Sequence, residues 1–188
     1  MPDGSQVSRS ASTALLTLPN VITFARLCAV PLSVWLVMEH QFASAFFLFV
    51  AAGASDAVDG WLARRNGGGN SVGAMLDPVA DKALLVTMYV TLAVVKVLPD
   101  WLAILVVFRD TLIVGGVVVL SLLGQPVMMR PLYISKLNTV LQIVLVAVAL
   151  LLSGFGLQAP AVLTVLVWLV AATTLGSGAA YVWIVRRR

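Results

Sequence analysis

The sequence predicts an all-α integral membrane protein with six transmembrane helices and an N-terminal interfacial amphipathic helix. Hydrophobic residues make up 61% of the 188 residues and charged residues only 11%, and the mean hydropathy is +1.03. Soluble domains are about half apolar and a quarter charged. A helix that crosses a bilayer needs about 20 apolar residues, so a chain of this length has room for about six. Short polar or turn-forming segments divide it into that many apolar stretches: "EHQ", "RRNGGGNS", "LPDW", "GQPVMMRP" and "SGFGLQAP".

The N-terminal region predicts a tail followed by an interfacial helix. Residues 1–14 are rich in Ser, Ala and Thr without periodicity, which is typical of disorder, and residues 15–188 form the single predicted domain. Apolar residues mix with Thr and Arg in "LTLPNVITFARL", which predicts an interfacial helix running into the first span. Pro19 and Asn20 can open this helix, and Asn20 can also cap it. We expect the first span to be retained rather than cleaved as a signal peptide, because a long leader precedes it with only Arg9 and Arg26 as cations.

The remaining elements follow from apolar length and helix-capping residues. The third span is expected to begin at Pro78, because Asp77 as N-cap and Pro in the first turn are a common helix start. Small residues from Ala171 to Ala180 predict close helix packing in the last span. Cys28 is the only cysteine and lies in an apolar stretch, which suggests a packed thiol. The predicted spans are residues 22–39, 42–64, 78–98, 101–123, 134–154 and 160–184.

The positions of Lys and Arg predict the orientation in the membrane. With six spans, ten of these residues fall on one side and only Lys96 on the other, while Arg109 lies within the fourth span. Such a bias places both termini in the cytoplasm. A bacterial inner membrane is expected, because the tail does not resemble an organelle transit peptide. The ten residues are Arg9, Arg26, Arg64, Arg65, Lys82, Arg130, Lys136, Arg186, Arg187 and Arg188.

The acidic residues are concentrated in "SDAVDGWLARRNGGGNSVGAMLDPVADK", at the predicted cytoplasmic ends of spans two and three. Half of the eight acidic residues of the chain lie there: Asp56, Asp59, Asp77 and Asp81. At about 100° per residue, residues 56, 59, 60, 63 and 64 share one face of the second span. Asp77 and Asp81 share a face of the third. The glycine-rich segment between the two spans reverses the chain, so the two acidic faces can meet.

Four carboxylates at a membrane boundary predict a site for divalent cations. Acids in this position repel one another and lose hydration, which usually marks function. Oxygen ligands without nearby His or Cys favour Mg²⁺ or Mn²⁺, and two such ions are suited to holding a diphosphate during phosphoryl transfer. Gly60 leaves room for a ligand, and Arg64 can pair with phosphate oxygens. Taken singly, Asp77 could be only a cap, Gly60 a packing residue and Arg64 a topology anchor.

Two other classes of protein are weighed against a metal-dependent enzyme. A transporter also uses intramembrane acids, but more often shows inverted repeats or helices broken at mid-bilayer, whereas here the acids cluster on one side beside arginines. A catalytically inactive scaffold is disfavoured because all four aspartates are intact.

The pattern Asp56-x2-Asp59-Gly60-x2-Ala63-Arg64-x8-Gly73-x3-Asp77-x3-Asp81 resembles the complete signature of the CDP-alcohol phosphotransferases. The resemblance implies transfer of a phosphatidyl group from CDP-diacylglycerol to an alcohol with release of CMP, using two divalent cations, Mg²⁺ or Mn²⁺. By the same resemblance, the four aspartates bind the metals and Asp81 is also the general base. Gly60, Ala63, Arg64 and Gly73 bind the CDP and diphosphate. A homodimer in a lipid membrane, with no nucleic-acid partner, is expected.

Two further segments bear on the acceptor alcohol. "FRDTLIVGG" and "ISKLNTVLQ" resemble CMP-forming cardiolipin synthases, which implies phosphatidylglycerol as acceptor. Phosphatidylglycerophosphate synthases, which use glycerol 3-phosphate, are the alternative; they more often show Arg-Glu in span four and a second basic residue before the Thr of span five. Here Asp110 and Asn138 hold those positions.

Three residues are weaker candidates for binding the acceptor. Arg109 could bind an acidic acceptor, or it could form an internal ion pair with Asp110. Lys136 could hold an acceptor phosphate or anchor the topology. Asn20 could lean over the site from the amphipathic helix, although capping also explains it.

Overall fold

The computed structural model describes residues 18–65, 72–122 and 133–186, and within them the side chains of residues 28–55, 82–113, 115 and 134–179. All the elements in these ranges are α-helices, which confirms the all-α class, and each predicted span corresponds to one of them. The helices are α1 (Leu18–Met38), α2 (Phe42–Arg65), α3 (Val72–Val94), α4 (Asp100–Leu122), α5 (Tyr133–Gly154) and α6 (Pro160–Arg186).

The largest difference from the prediction concerns α3, which begins at Val72 rather than at Pro78 and ends at Val94. The predicted cap at Asp77 is therefore wrong, because Asp77 and Pro78 lie inside the helix. The preceding "AML" consists of strong helix formers, so the helix can start before the proline. Pro78 lacks one backbone donor and disturbs the helix locally, but it does not end it.

Helix α1 is continuous from Leu18 to Met38, with Pro31 inside it. The predicted interfacial segment and first span therefore form one helix, and the interfacial position of its start stays a prediction. Pro19 lies in the first turn as expected. Asn20 also lies within the helix, so the prediction that it caps the helix is wrong.

Helices α3 and α5 form the centre of the bundle. They pack against each other, and the contacts of the six helices close a ring in the order α1, α2, α5, α6, α4, α3. The side chains between the central pair are inaccessible to solvent, and they are mostly large and apolar, as burial of a continuous core requires. They include Met88, Tyr89 and Leu92 of α3 and Leu145, Val146 and Ala149 of α5, each 0% exposed.

Three short turns lie together at one end of the bundle, which we call the closed end (residues 39–41, 95–99 and 155–159). A side chain at Gly154 would meet the backbone nitrogen of Ala43 at 2.5 Å, which brings the end of α5 against the start of α2. The rings of Trp101 and Trp168, 5.7 Å apart, join the start of α4 to α6. The opposite end, where α2 ends and α3 begins, is called the acidic end.

Each turn of the closed end ends its helix in the same way. The second residue after each helix has a positive φ: 57° at His40, 61° at Lys96 and 64° at Gly156. The following amide donates to a carbonyl five residues back, as in the Schellman cap. The donor–acceptor distances are 2.8 Å from Gln41 to Leu36, 2.9 Å from Val97 to Leu92 and 2.9 Å from Leu157 to Leu152.

Large apolar side chains also cover the outside of the bundle. Trp35, Phe47, Ile104 and Trp168 are each more than half exposed, which is the pattern of a surface that meets lipid or another protein. Among the described residues, two segments are long and apolar enough to cross a membrane, Ile134–Gly154 and Pro160–Ala179. Cys28 is exposed as well, so the prediction of a packed thiol is wrong: the neighbouring Ala29 is buried, whereas Cys28 lies on the outer face of α1.

Candidate functional site

The backbone of the acidic end keeps the signature residues in helical register. Helix α2 is uninterrupted to Arg65, so residues 56, 59, 60, 63 and 64 share one face of it as predicted. The early start of α3 adds a feature that the sequence analysis missed. Gly73 lies in this helix four residues before Asp77 and eight before Asp81, so the three positions follow one helix face. The side chains of these residues, and the connection 66–71, lie outside the described part.

The four aspartates stay the predicted ligands for divalent cations. Among the side chains that the structure describes, no three His, Cys, Asp or Glu residues are grouped closely enough to hold a metal ion. The register of α2 and α3 brings two carboxylate-bearing positions onto a single face of each helix. Four carboxylates on two consecutive helices fit the all-oxygen coordination of Mg²⁺ or Mn²⁺.

A cavity of about 520 Å³ adjoins the acidic end between α2, α3 and α5. It reaches Ala54, two residues before Asp56, and Lys82, the residue after Asp81. Apart from Lys82 and Thr139 its lining is apolar. The volume lies in the range of small-molecule sites, and the apolar lining has the character that a lipid chain requires. The apolar lining residues are Phe49, Val50, Ala52, Gly53, Ala54, Leu84, Leu85, Ile143 and Ala147.

A buried polar network connects the acidic end to three other helices. Asp110 of α4 accepts from Lys82 through Oδ2, at 2.5 Å, and from Arg109 through Oδ1, at 2.8 Å. Arg109 also donates to Ser177 of α6 at 3.0 Å and to Ser135 of α5 at 2.7 Å. The side chains of Arg109 and Asp110 are only 6% and 5% exposed. The network thus links α3, α4, α5 and α6 through one carboxylate and one guanidinium.

Of the two interpretations of Arg109, the internal ion pair is present. All three nitrogens of its guanidinium have partners: Nε with Ser177, Nη1 with Asp110 and Nη2 with Ser135. These bonds use three of its five N–H donors and hold the side chain inside the bundle, where it is 6% exposed. Lys136 is exposed on α5, which leaves it accessible to a ligand. Asn20 lies in the first turn of α1, and its side chain is outside the described part.

The residue that distinguished the acceptor classes on α5 is also buried. Asn138 is 0% exposed, and its Oδ1 accepts from Thr173 at 2.8 Å and from Thr174 at 2.9 Å. These threonines belong to the small-residue run of α6, whose predicted close packing is confirmed at Ala171, Thr174 and Ser177, all buried. Ser135, Asn138 and Gln142 are spaced three and four residues apart on an otherwise apolar helix, which is a sequence signal for a polar face on α5.

Comparison with known proteins identifies the family. Residues 16–177 match the family model described as CDP-alcohol phosphatidyltransferase. A chloroplastic CDP-diacylglycerol--glycerol-3-phosphate 3-phosphatidyltransferase 1 from Oryza sativa is 36% identical, with 95% of this chain and 61% of that protein covered. A human CMP-forming cardiolipin synthase is 30% identical, with 88% and 60% covered.

A third relative comes from a bacterium. A CMP-forming cardiolipin synthase from Streptomyces coelicolor is 34% identical, with 64% of this chain and 59% of that protein covered. The chain thus spans about three fifths of the length of these relatives. Because the family model extends over most of the chain, this protein belongs to the CDP-alcohol phosphatidyltransferase family.

Proposed function

We propose that this protein transfers the phosphatidyl group of CDP-diacylglycerol to the hydroxyl of an alcohol and releases CMP. The observation that carries the proposal is the complete eight-residue signature, held in register on α2 and α3. The apolar cavity beside it supports a lipid as the donor. Family membership supports the same class of reaction.

The proposed reaction forms one phosphorus–oxygen bond and breaks another. The acceptor oxygen attacks the phosphorus that carries the diacylglycerol, the bond to CMP breaks, and Asp81 accepts the proton of the hydroxyl. Gly60, Ala63, Arg64 and Gly73 bind the nucleotide and its diphosphate. Asp56, Asp59, Asp77 and Asp81 would hold two divalent cations, Mg²⁺ or Mn²⁺, which supply positive charge beside the diphosphate.

The membrane setting is part of the proposal. All six helices span the membrane, the acidic end and both termini face the cytoplasm, and the protein acts as a homodimer, in a bacterial inner membrane. The exposed apolar side chains and the bias of Lys and Arg support the spans and their orientation. A lipid donor with a polar headgroup requires a site at this depth, where apolar and aqueous surroundings meet.

Phosphatidylglycerol is the proposed acceptor, which makes cardiolipin the product. Asp110 and Asn138 support this choice at the two positions that differ between the classes, and the human and Streptomyces relatives are named as cardiolipin synthases. Glycerol 3-phosphate is the second candidate. It is favoured by the rice relative, whose name specifies that acceptor and which matches 95% of this chain.

An acceptor-competition assay distinguishes the two. The purified protein in nanodiscs receives CDP-diacylglycerol and Mg²⁺ or Mn²⁺, with phosphatidylglycerol or glycerol 3-phosphate, and CMP and lipid products are measured. We expect CMP and cardiolipin only with phosphatidylglycerol. CMP formed only with glycerol 3-phosphate would assign the protein to the second class.

Replacement of Asp81 tests the general base. Asp81→Asn keeps the size of the side chain but removes its ability to take a proton, so CMP release is expected to fall by about 100-fold or more. The matched control is Asp100→Asn at the closed end, where the carboxylate is exposed and pairs only with Lys96; it should keep wild-type activity. Full activity of Asp81→Asn in folded protein would refute the role of Asp81.

A further inference from the structure

We infer that Lys82 and Asp110 are positioning residues, which hold the middle of α3 so that Asp81 keeps its place at the proposed active site. The inference rests on the proposed function, because it takes Asp81 to be part of that site. Lys82 follows Asp81 directly in α3, and its ammonium group is bound by a carboxylate of α4. The backbone that carries Asp81 is thereby tied to the interior of the bundle.

Asp110 is suited to this role because it is itself held from both sides. One of its oxygens accepts from Lys82 and the other from Arg109, which is bound in turn by Ser135 and Ser177. Only 5% of the Asp110 side chain is exposed, against 36% for Lys82. Asp110 does not line the cavity between α2, α3 and α5, so we expect any effect of Asp110 on the reaction to pass through another residue.

The charges of the network predict how variants differ in stability. Lys82, Asp110 and Arg109 together carry one net positive charge. Lys82→Met leaves a neutral pair, whereas Asp110→Asn leaves two neighbouring cations without an acid, the buried Arg109 and the partly exposed Lys82. Of the three variants, this arrangement is penalised most by low-dielectric surroundings. The double variant Lys82→Met/Asp110→Asn returns to one net positive charge. We therefore expect Asp110→Asn to unfold at the lowest temperature and the double variant to unfold at a higher one.

The effect on catalysis is expected to follow a different order. Without the ion pair, the turn of α3 that carries Asp81 and Lys82 loses its link to α4, whatever the net charge is, so we expect both Lys82→Met and the double variant to misplace Asp81. Loss of a group that orients metal ligands typically lowers metal affinity or activity by about 10- to 100-fold. We expect kcat to fall about 10-fold in both variants, with a rise in the half-saturating concentration of Mg²⁺.

The experiment combines thermal unfolding in detergent with CMP release measured against MgCl₂ and CDP-diacylglycerol. The variants are Lys82→Met, Lys82→Arg, Asp110→Asn and the double variant. Lys82→Arg keeps the charge and should stay within about 3-fold of wild-type kcat. The matched control is Lys96→Met/Asp100→Asn, which removes a Lys–Asp pair of equal length that is 73% and 59% exposed. It should leave both unfolding and kinetics unchanged, because exposed pairs contribute little.

Two results would overturn the inference. If the double variant regained activity together with stability, the pair would be structural only. If Lys82→Met raised the KM for CDP-diacylglycerol alone, Lys82 would be a substrate contact. A folded wild-type protein that releases no CMP with any acceptor would refute the proposed function instead. The unfolding temperatures of the single and double variants would still measure how much the ion pair stabilises the protein.

Discussion

At the scale of single residues, α5 carries two buried side-chain amides that differ in their hydrogen bonding. Asn138 and Gln142 are both 0% exposed. Asn138 accepts two hydrogen bonds through Oδ1. Its Nδ2 and both amide atoms of Gln142 have no partner among the described residues. A buried amide without partners costs about 1–3 kcal/mol, so the two residues should respond oppositely to apolar replacement.

We predict that Gln142→Met raises the thermal unfolding midpoint and that Asn138→Leu lowers it. Met has a similar length and removes an unsatisfied amide, for a gain of about 1 kcal/mol. Leu at position 138 removes two hydrogen bonds and leaves the hydroxyl of Thr174 without its partner, at a cost of about 1 kcal/mol. Both are measured by thermal unfolding in detergent. A fall for Gln142→Met would mean that an ordered water satisfies its amide.

The sequence was informative about the chemistry of single residues and much less about their partners. The signature aspartates could be identified because their spacing is fixed along the chain. An internal ion pair of Arg109 could be anticipated, since a charge within an apolar span is usually paired. Its partners Ser135 and Ser177 could not, because they lie 26 and 68 residues away along the chain, and only the packing of three helices brings them together.

At the scale of elements, the C-terminal caps of α1, α3 and α5 share a residue with positive φ, a conformation that suits glycine better than other residues. Gly156 adopts positive φ freely, whereas His40 and Lys96 adopt it with a Cβ in place. The αL conformation costs a non-glycine residue about 1 kcal/mol. The three caps thus offer a comparison of one geometry with different residues.

We predict that Lys96→Gly stabilises the protein by about 0.5–1 kcal/mol and that Gly156→Ala destabilises it by about the same amount. The first change removes the strain of a side chain at positive φ. It loses only an exposed ion pair with Asp100, which contributes little to stability. The second places a Cβ at φ of 64° with open space around it, so its effect is purely conformational. The measurement is the unfolding midpoint, and equal signs for the two variants would contradict the prediction.

The error in α3 has a physical origin at this scale. An Asp-Pro pair is a common helix start, and local preference therefore favoured Pro78. The helix that forms includes six earlier residues, from Val72 to Asp77, because helix stability in a packed bundle comes mainly from tertiary contacts rather than from local propensity. The ends of the other helices agree with the predicted spans more closely, since the polar turns between them have no comparable ambiguity.

At the scale of the whole molecule, the bundle has two ends of different character. The closed end consists of three short turns, with capped helices and close contacts between the chain segments. The acidic end carries the signature on α2 and α3 and the cavity beside it. The number and order of helices could be predicted from the apolar segments. Their arrangement around α3 and α5 could not, because periodicity says which face is buried but not which helix covers it.

We predict that the closed end faces away from the cytoplasm. In a Cys28→Ser background, a cysteine introduced at His40 or at Gln158 should react with a membrane-impermeant maleimide added to intact cells, because both positions are exposed in turns of that end. A cysteine at Arg188 should react only after the membrane is permeabilised. Labelling of position 188 in intact cells, with protection of positions 40 and 158, would reverse the orientation, and mixed labelling of positions 40 and 158 would contradict the six-span topology.

The contact between Gly154 and Ala43 makes the closed end a pivot for the rest of the bundle. A Cβ at Gly154 would meet the backbone of Phe42 and Ala43, so a larger residue there must separate the end of α5 from the start of α2, and we expect α2 to tilt. Asp56 lies 13 residues along that helix, about 20 Å from the pivot, and a tilt of about 5° would move it by about 2 Å. A misplacement of about 1 Å can slow an enzyme by about 100-fold. On the proposed function, we therefore expect a larger residue at Gly154 to slow the reaction, although Gly154 lies at the end of the bundle opposite the signature.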